Sequence, residues 1–369
     1  MKKYNENNER IKRKYLTFLK QAKGQNEASI DAVAKAISRF ELYNKYKDFK
    51  AFHFEQAIGF KKYLANQKHH KTGKPLSLAT MNGTVRHLKT FVEWLSQETG
   101  YKSRIKYSDA EYFNLSEKEA RTAKAKRQKP VASIEQIKHV LSIMPNSSAI
   151  EKRDRALIAF ILLTGARDSA VASMKLKHID LKAGTVYQDA REVNTKFSKS
   201  FTTCFFPVGD DVREIVARWV EYLRNDLFMG NDAPLFPKTK MSLGGDNNFQ
   251  VAGLSCEHWS SAAAIRKIFK EAFYLADLPY FNPHSFRDTL ATLGEKLCQS
   301  PEEFKAWSQN LGHERVMTTF FSYGEVQPTR QIELIQKLGL PRNKTIPNID
   351  TSEFAKAVAR EMQGLKLSQ

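Results

Sequence analysis

The chain has 369 residues, 41% hydrophobic and 27% charged, a globular composition too long for one ordinary core, so two or three domains are expected. Its formal net charge of +19 demands a polyanionic partner. Nucleic acid is favoured over an anionic membrane because neither a long apolar run nor a lipidation signal accompanies the charge. The opening MKKYNENNERIKRKYL is basic without the apolar stretch of a signal peptide, and ALIAFILLTGA is too short to cross a bilayer, so no membrane association and a cytoplasmic location are expected. Three scattered cysteines, Cys204, Cys256 and Cys298, with no C-x-x-C among them, indicate neither a disulfide framework nor a zinc site.

In chain order, the charge comes first. Residues 1–127 hold 28 Lys and Arg against 13 Asp and Glu, a net of +15, and the remainder carries only +4. Three segments there read as helices: NEASIDAVAKAISRFELYNKY, FEQAIGFKKYLAN and SLATMNGTVRHLKTFVEWLSQ. In the last, Leu78, Met81, Val85, Leu88 and Val92 recur at helical spacing, with Ser77 as N-cap and Gly100 as the stop. A small helical bundle that neutralises DNA phosphates is the reading of residues 1–115. Residues 116–133, SEKEARTAKAKRQKPVAS, are charged and nearly free of large apolar groups, and read as an exposed linker. From there SIEQIKHVLSIM offers Ser133 as a cap and a helical apolar stripe, and DRALIAFILLTG is apolar all round, hence a buried helix. LKHIDLKAGTVYQDAREVNTKFSKSFTTCFFPV alternates β-branched and aromatic residues about a glycine turn, which predicts a short antiparallel sheet. Helices resume after Pro207, interrupted by a Gly- and Pro-containing stretch, 230–255, read as loop. The fold class is therefore mainly α with a small antiparallel β-sheet (α+β).

Four residues that carry chemistry fall at predicted element boundaries. Asn282 suits an N-cap and Pro283 the first helical position, which puts His284 and Arg287 on one face of a first turn, an anion site. SPEEFKAWSQNLG begins as a capping box and ends in glycine, delivering His313 just past the turn. Thr164-Gly165 ends the buried helix and Arg167 opens the next segment. Functional groups concentrate at such junctions.

In this order the chain resembles the tyrosine recombinase (phage integrase) family, whose catalytic domain carries Arg, a hairpin Lys, His-x-x-Arg, Leu-Gly-His and a nucleophilic Tyr. Here these match TGAR (Arg167), NTKFSK (Lys196 or Lys199), HSFR (His284, Arg287), LGH (His313) and SYG (Tyr323), over roughly residues 128–335. The resemblance implies a helical core-binding domain over 1–115, a catalytic domain over 134–340 and a C-terminal tail, 341–369. In that tail Phe354, Val358, Met362 and Leu365 form an apolar stripe that docks on its own catalytic domain or on a neighbouring protomer. It also implies that Tyr323 cleaves one DNA strand to leave a 3′-phosphotyrosine. Arg167 and Arg287 would hold the phosphate oxygens, and His284 would accept the tyrosine proton. His313 would donate to a phosphate oxygen, and the lysine, with Lys196 favoured, would protonate the leaving 5′-oxygen. No metal and no cofactor are implied. The expected partners are double-stranded DNA with an inverted-repeat site and three further copies of the chain.

Two departures from the family pattern stand out. The acidic residue usual three positions after the first arginine is Ala170, leaving Asp168 as the carboxylate nearest in sequence, and Tyr323 falls ten residues after His313 rather than nine. The alternative functions are a non-catalytic DNA-binding regulator, which leaves the ordered residues without a purpose, and a type IB topoisomerase, which shares their chemistry. A metal-dependent nuclease lacks the paired carboxylates it would need.

Overall fold

The computed structural model describes residues 4–68, 73–125, 130–243 and 248–313. The chain divides into two compact units, Met1–Arg127 and Gln128–Gln369. Among the described residues no helix is long and apolar enough to cross a membrane.

The first unit is helical. Its main helices are α1 (Glu6–Gln21), α2 (Glu27–Tyr43), α3 (Phe54–Ala65) and α4 (Leu78–Leu95), followed by the short α5 (Glu117–Lys124). Each of the first four buries one stripe. On α1 it is Ile11, Tyr15 and Leu19, and on α4 it is Met81, Val85, Leu88, Phe91, Val92 and Leu95, meeting in a core crowded with aromatic rings. Tyr15 packs against Phe91 and Trp94 with ring centroids 5.0 and 4.8 Å apart. Ser77 accepts from the Thr80 N–H and caps α4 as expected, whereas the helix stops at Leu95, five residues short of Gly100. Residues 117–124 of the stretch read as linker form a helix beside α4. Its basis is local: Ser116 and Glu119 make a capping box, and Glu117 pairs with Arg121 one turn on.

In the second unit, α6 (Ile134–Ile143) starts from a capping box of Ser133 and Gln136. Then α7 (Ala149–Thr164) runs through the middle of the core, with every residue from Ala156 to Thr164 buried. An all-apolar helix needs neighbours on every side, and α6 and α9 (Asp210–Glu221) supply part of that cover. The short α8 (Asp168–Val171) leads into a three-stranded antiparallel sheet of β1 (Ile179–Asp180), β2 (Thr185–Gln188) and β3 (Phe201–Cys204), with Val186 opposite Thr203. The unit continues through α10 (Ala263–Leu275), α11 (Ser285–Leu297) and α12 (Pro301–Asn310).

The stretch 230–255 is not simply loop. It contains a two-stranded antiparallel ribbon, β4 (Thr239–Leu243) and β5 (Phe249–Leu254), with a register irregularity between Thr239 and Met241. The signal was a period-two alternation, obscured by the surrounding glycines and prolines. Met241 faces Val251 and Leu243 faces Phe249 across the strands, and all four side chains are exposed.

Candidate active site

Arg167 is placed by the way α7 ends. Gly165 adopts a left-handed φ of 60°, its N–H bonded to Ile161 O, and turns the chain so that Arg167 becomes the N-cap residue of α8. A Cβ at Gly165 would lie 2.9 Å from Leu311 Cδ2 and 3.0 Å from Leu290 Cδ1, so this turn lies tight against α11 and the end of α12. Only glycine fits there. Arg167 is half-buried and, among the described residues, its guanidinium has no hydrogen bond or ion pair; burial holds its pKa below the usual arginine range. Ala170 is buried and offers it no carboxylate. Asp168 is turned elsewhere, accepting from Arg266 Nε at 2.8 Å and from the Ser169 N–H at 2.9 Å.

His284 and Arg287 lie at the start of α11, which begins two residues later than the Pro283 start read from the sequence. Asn282 still accepts from the Ser285 N–H at 3.2 Å, but the first turn is tight, with Arg287 N–H bonded to His284 O. Arg287 is buried. Its Nη1 donates to Gly165 O and its Nη2 to Leu311 O, each at 2.5 Å, and Nη2 lies 2.8 Å from His313 Nε2. These carbonyls belong to the ends of α7 and α12, where helices leave oxygens unsatisfied and a cation is favoured. A guanidinium can only donate, so His313 Nε2 accepts and the imidazole proton sits on Nδ1.

His313 is delivered by a Schellman close of α12. Gly312 has φ 66°, its N–H bonds Gln309 O, and the His313 N–H bonds Ser308 O. The start of α12 shows half of the expected capping box: Ser300 accepts from the Glu303 N–H, while Glu303 reaches back to the Gln299 N–H instead. Trp307 covers α11, donating to Leu290 O and lying over Gly294, where a Cβ would come within 2.6 Å of its indole. The other end of α12 is tied to the sheet, because Asn310 exchanges two hydrogen bonds with the Cys204 backbone on β3. Burial, followed by the charges of Arg287, Arg167, His284 and Lys196, pushes the His313 pKa down to about 3. His284 is lowered in turn by burial and then by Arg287, with Asp288 opposing. Both imidazoles are therefore neutral near pH 7.

The lysines lie on the connection between β2 and β3. Lys196 opens a short 3₁₀ turn, Lys196–Ser198, and is among the cations whose charge presses on His313. Lys199 follows that turn. The structure thus brings Arg167, Lys196, His284 and Arg287 around His313. Tyr323 and the tail, 341–369, lie outside the described residues. Sequence reasoning missed the seats of Arg287, the Gly165 and Leu311 carbonyls, and the Asp168–Arg266 pair; only the glycines that shape the two helix ends were visible signals.

Residues 132–330 match the model of the Phage integrase family. Tyrosine recombinase XerC of Halalkalibacterium halodurans is 27% identical over 186 residues, 50% of this chain and 54% of that protein, so the chain spans about half the length of that relative. Tyrosine recombinase XerD of Staphylococcus saprophyticus is 23% identical over 309 residues, covering 83% of this chain and 90% of its own. Among solved structures, a lambda integrase (75–356) dimer bound to a COC′ core site shares the fold with a TM-score of 0.59 at 13% identity, over 92% of this chain and 99% of that one. With more than half of its length matched by the family model, the chain belongs to the phage integrase family, the tyrosine recombinases.

Proposed function

We propose that this recombinase breaks and rejoins DNA strands through a 3′-phosphotyrosine formed by Tyr323, in DNA integration or recombination. The observation that carries the proposal is the gathering of Arg167, Lys196, His284 and Arg287 about His313. A half-buried guanidinium with no carboxylate partner among the described residues, as Arg167 has, is a receptor for an anion. Arg287, fixed by two helix-end carbonyls, adds a second cation at a set place, so the pair favours the more negative phosphorane over the ground state.

Tyrosine ionises near pH 10, so having it as phenolate at pH 7 costs about 4 kcal/mol. Cations and a base offset that cost. The Tyr323 oxygen attacks phosphorus while its proton passes to His284, whose lowered pKa keeps it unprotonated and able to accept. The P–O5′ bond breaks, and the 5′-oxygen takes its proton from Lys196, the lysine that follows Thr195 in the family's Thr-Lys context. His313, with its proton on Nδ1, donates to a phosphate oxygen. One phosphate ester replaces another, so attack by a 5′-hydroxyl reverses the step without a nucleotide cofactor.

The partner is double-stranded DNA, with the basic first unit supplying phosphate contacts. The lambda integrase dimer bound to its COC′ core site supports this reading. An inverted-repeat site, a homotetramer on DNA and a cytoplasmic location complete the proposal. In the test, Tyr323→Phe is incubated with a nicked suicide substrate. It should bind the site and give no covalent protein–DNA adduct; an adduct that survives detergent would remove Tyr323 from its role.

A further inference from the structure

The β2–β3 connection, which carries Lys196, is long and largely exposed, so whatever holds its course helps decide where the ammonium lies. Its first half is nevertheless tied down on one side. Val193 is buried, and the Asn194 N–H donates to Ser173 Oγ at 2.8 Å. Glu192 makes the larger attachment. Its Oε2 lies 3.0 Å from His178 Nε2, and its Oε1 accepts from Lys177 Nζ at 2.8 Å and Lys175 Nζ at 3.3 Å. His178 is itself buried, and its Nδ1 accepts from the Lys175 N–H at 3.0 Å, so Nε2 carries the proton and points it at Glu192. One carboxylate thus receives donors from three residues of a single segment, 175–178.

That segment follows α8 after three residues, and Arg167 is the N-cap residue of α8. Arg167 and Lys196 therefore share one local frame. A single exposed ion pair would fix little. Three donors on one carboxylate, one of them from a buried imidazole, restrict the chain far more. We infer that Glu192 is the positioning residue for Lys196, holding the β2–β3 connection so that the ammonium meets the Arg167, Arg287 and His313 group. Glu192 touches no reacting atom. Its carboxyl pKa, brought down to about 2 chiefly by Lys177 and His178, keeps the attachment ionised throughout the pH range of cleavage.

The inference rests on Lys196 as the acid that protonates the 5′-oxygen, and the test separates the two. Full-length Glu192→Ala, Glu192→Gln and Lys196→Ala are assayed on ordinary duplex and on a duplex with a 5′-bridging phosphorothiolate, in which the P–S bond breaks and the thiolate leaves without a proton. Glu192→Ala should cleave ordinary DNA about 10- to 100-fold more slowly and the phosphorothiolate within about threefold of the parent, since a displaced acid matters only where a proton is needed. Glu192→Gln, which keeps the shape and loses the charge, should show the same selectivity with a smaller loss. Equal slowing of both Glu192 variants on the two substrates, or parent rates on both, would overturn the inference while leaving a rescued Lys196→Ala intact. A Lys196→Ala protein that the phosphorothiolate does not rescue would remove the acid, and the inference with it.

Discussion

Arg287→Ala should damage the second unit's stability as well as its chemistry, and Arg167→Ala should damage only the chemistry. Arg287 satisfies Gly165 O and Leu311 O, both in buried residues. A buried polar group left without a partner costs about 1–3 kcal/mol, so two carbonyls give about 2–6 kcal/mol. Water entering the vacated space recovers part of this, leaving about 2–4 kcal/mol. For a unit of this size that corresponds to a Tm lower by roughly 5–15 °C. Arg167 makes no hydrogen bond or ion pair among the described residues, and its charge is already penalised by burial. Its removal should move the Tm by less than about 2 °C, while either variant should lower cleavage by roughly 100-fold. Calorimetry of the full chain, following the transition of the second unit, reads the stability; suicide-substrate cleavage at a temperature where both variants are folded reads the chemistry. An Arg287→Ala protein that melts within about 2 °C of the parent, or an Arg167→Ala protein that loses as much as Arg287→Ala, would refute the reasoning.

His313 has a folded pKa of about 3 against about 6.5 when unfolded, so between these values the unfolded chain binds more protons and stability falls as pH is lowered from about 6.5 towards 3. Urea titrations of His313→Gln should show a shallower fall over that window; a parallel fall would assign the effect to carboxylates alone. Gly294→Ala places a methyl group against the Trp307 indole and should cost about 1–3 kcal/mol, with a matching loss of cleavage as α12 moves His313. Unchanged melting would show that α12 can shift freely. DNA affinity should fall with salt at a log–log slope of about −5 or steeper if about six phosphates are neutralised, and residues 128–369 alone should bind far more weakly. Comparable affinity of that fragment in a gel-shift titration would remove the basic first unit as the main phosphate contact.

Much of the helical framework was legible because its signals are local. Ser77 and Ser133 cap helices, Gly165 ends one, and the uninterrupted apolar run before it is a buried helix. What escaped was local too, but masked by composition. In α1, Ile11, Tyr15 and Leu19 recur every four residues beneath a basic surface that drew attention to charge. In α5 no residue is buried, so no apolar stripe marked it, and only the capping box could have. The site divides differently. The order of Arg167, Lys196, His284, Arg287 and His313 along the chain is a sequence pattern. The oxygens that seat Arg287 are backbone atoms, identical at every position, and nothing in residue identity announces them. Nor could spacing show that Asp168 turns to Arg266, because that depends on where α10 lies.

The bonds that seat Arg287 also set when in folding the site can exist. Its contact with Gly165 spans 122 residues of chain, and Thr289, two residues on, bonds Ala132 across 157. Contacts so distant in sequence need long loops to close, and neither can exist before both of its partners have been synthesised. His313 lies beyond both, at the close of α12. A nascent or partly folded chain therefore carries every group before it without the arrangement that would let them act together. On the proposed reaction, strand cutting is withheld until the second unit is complete.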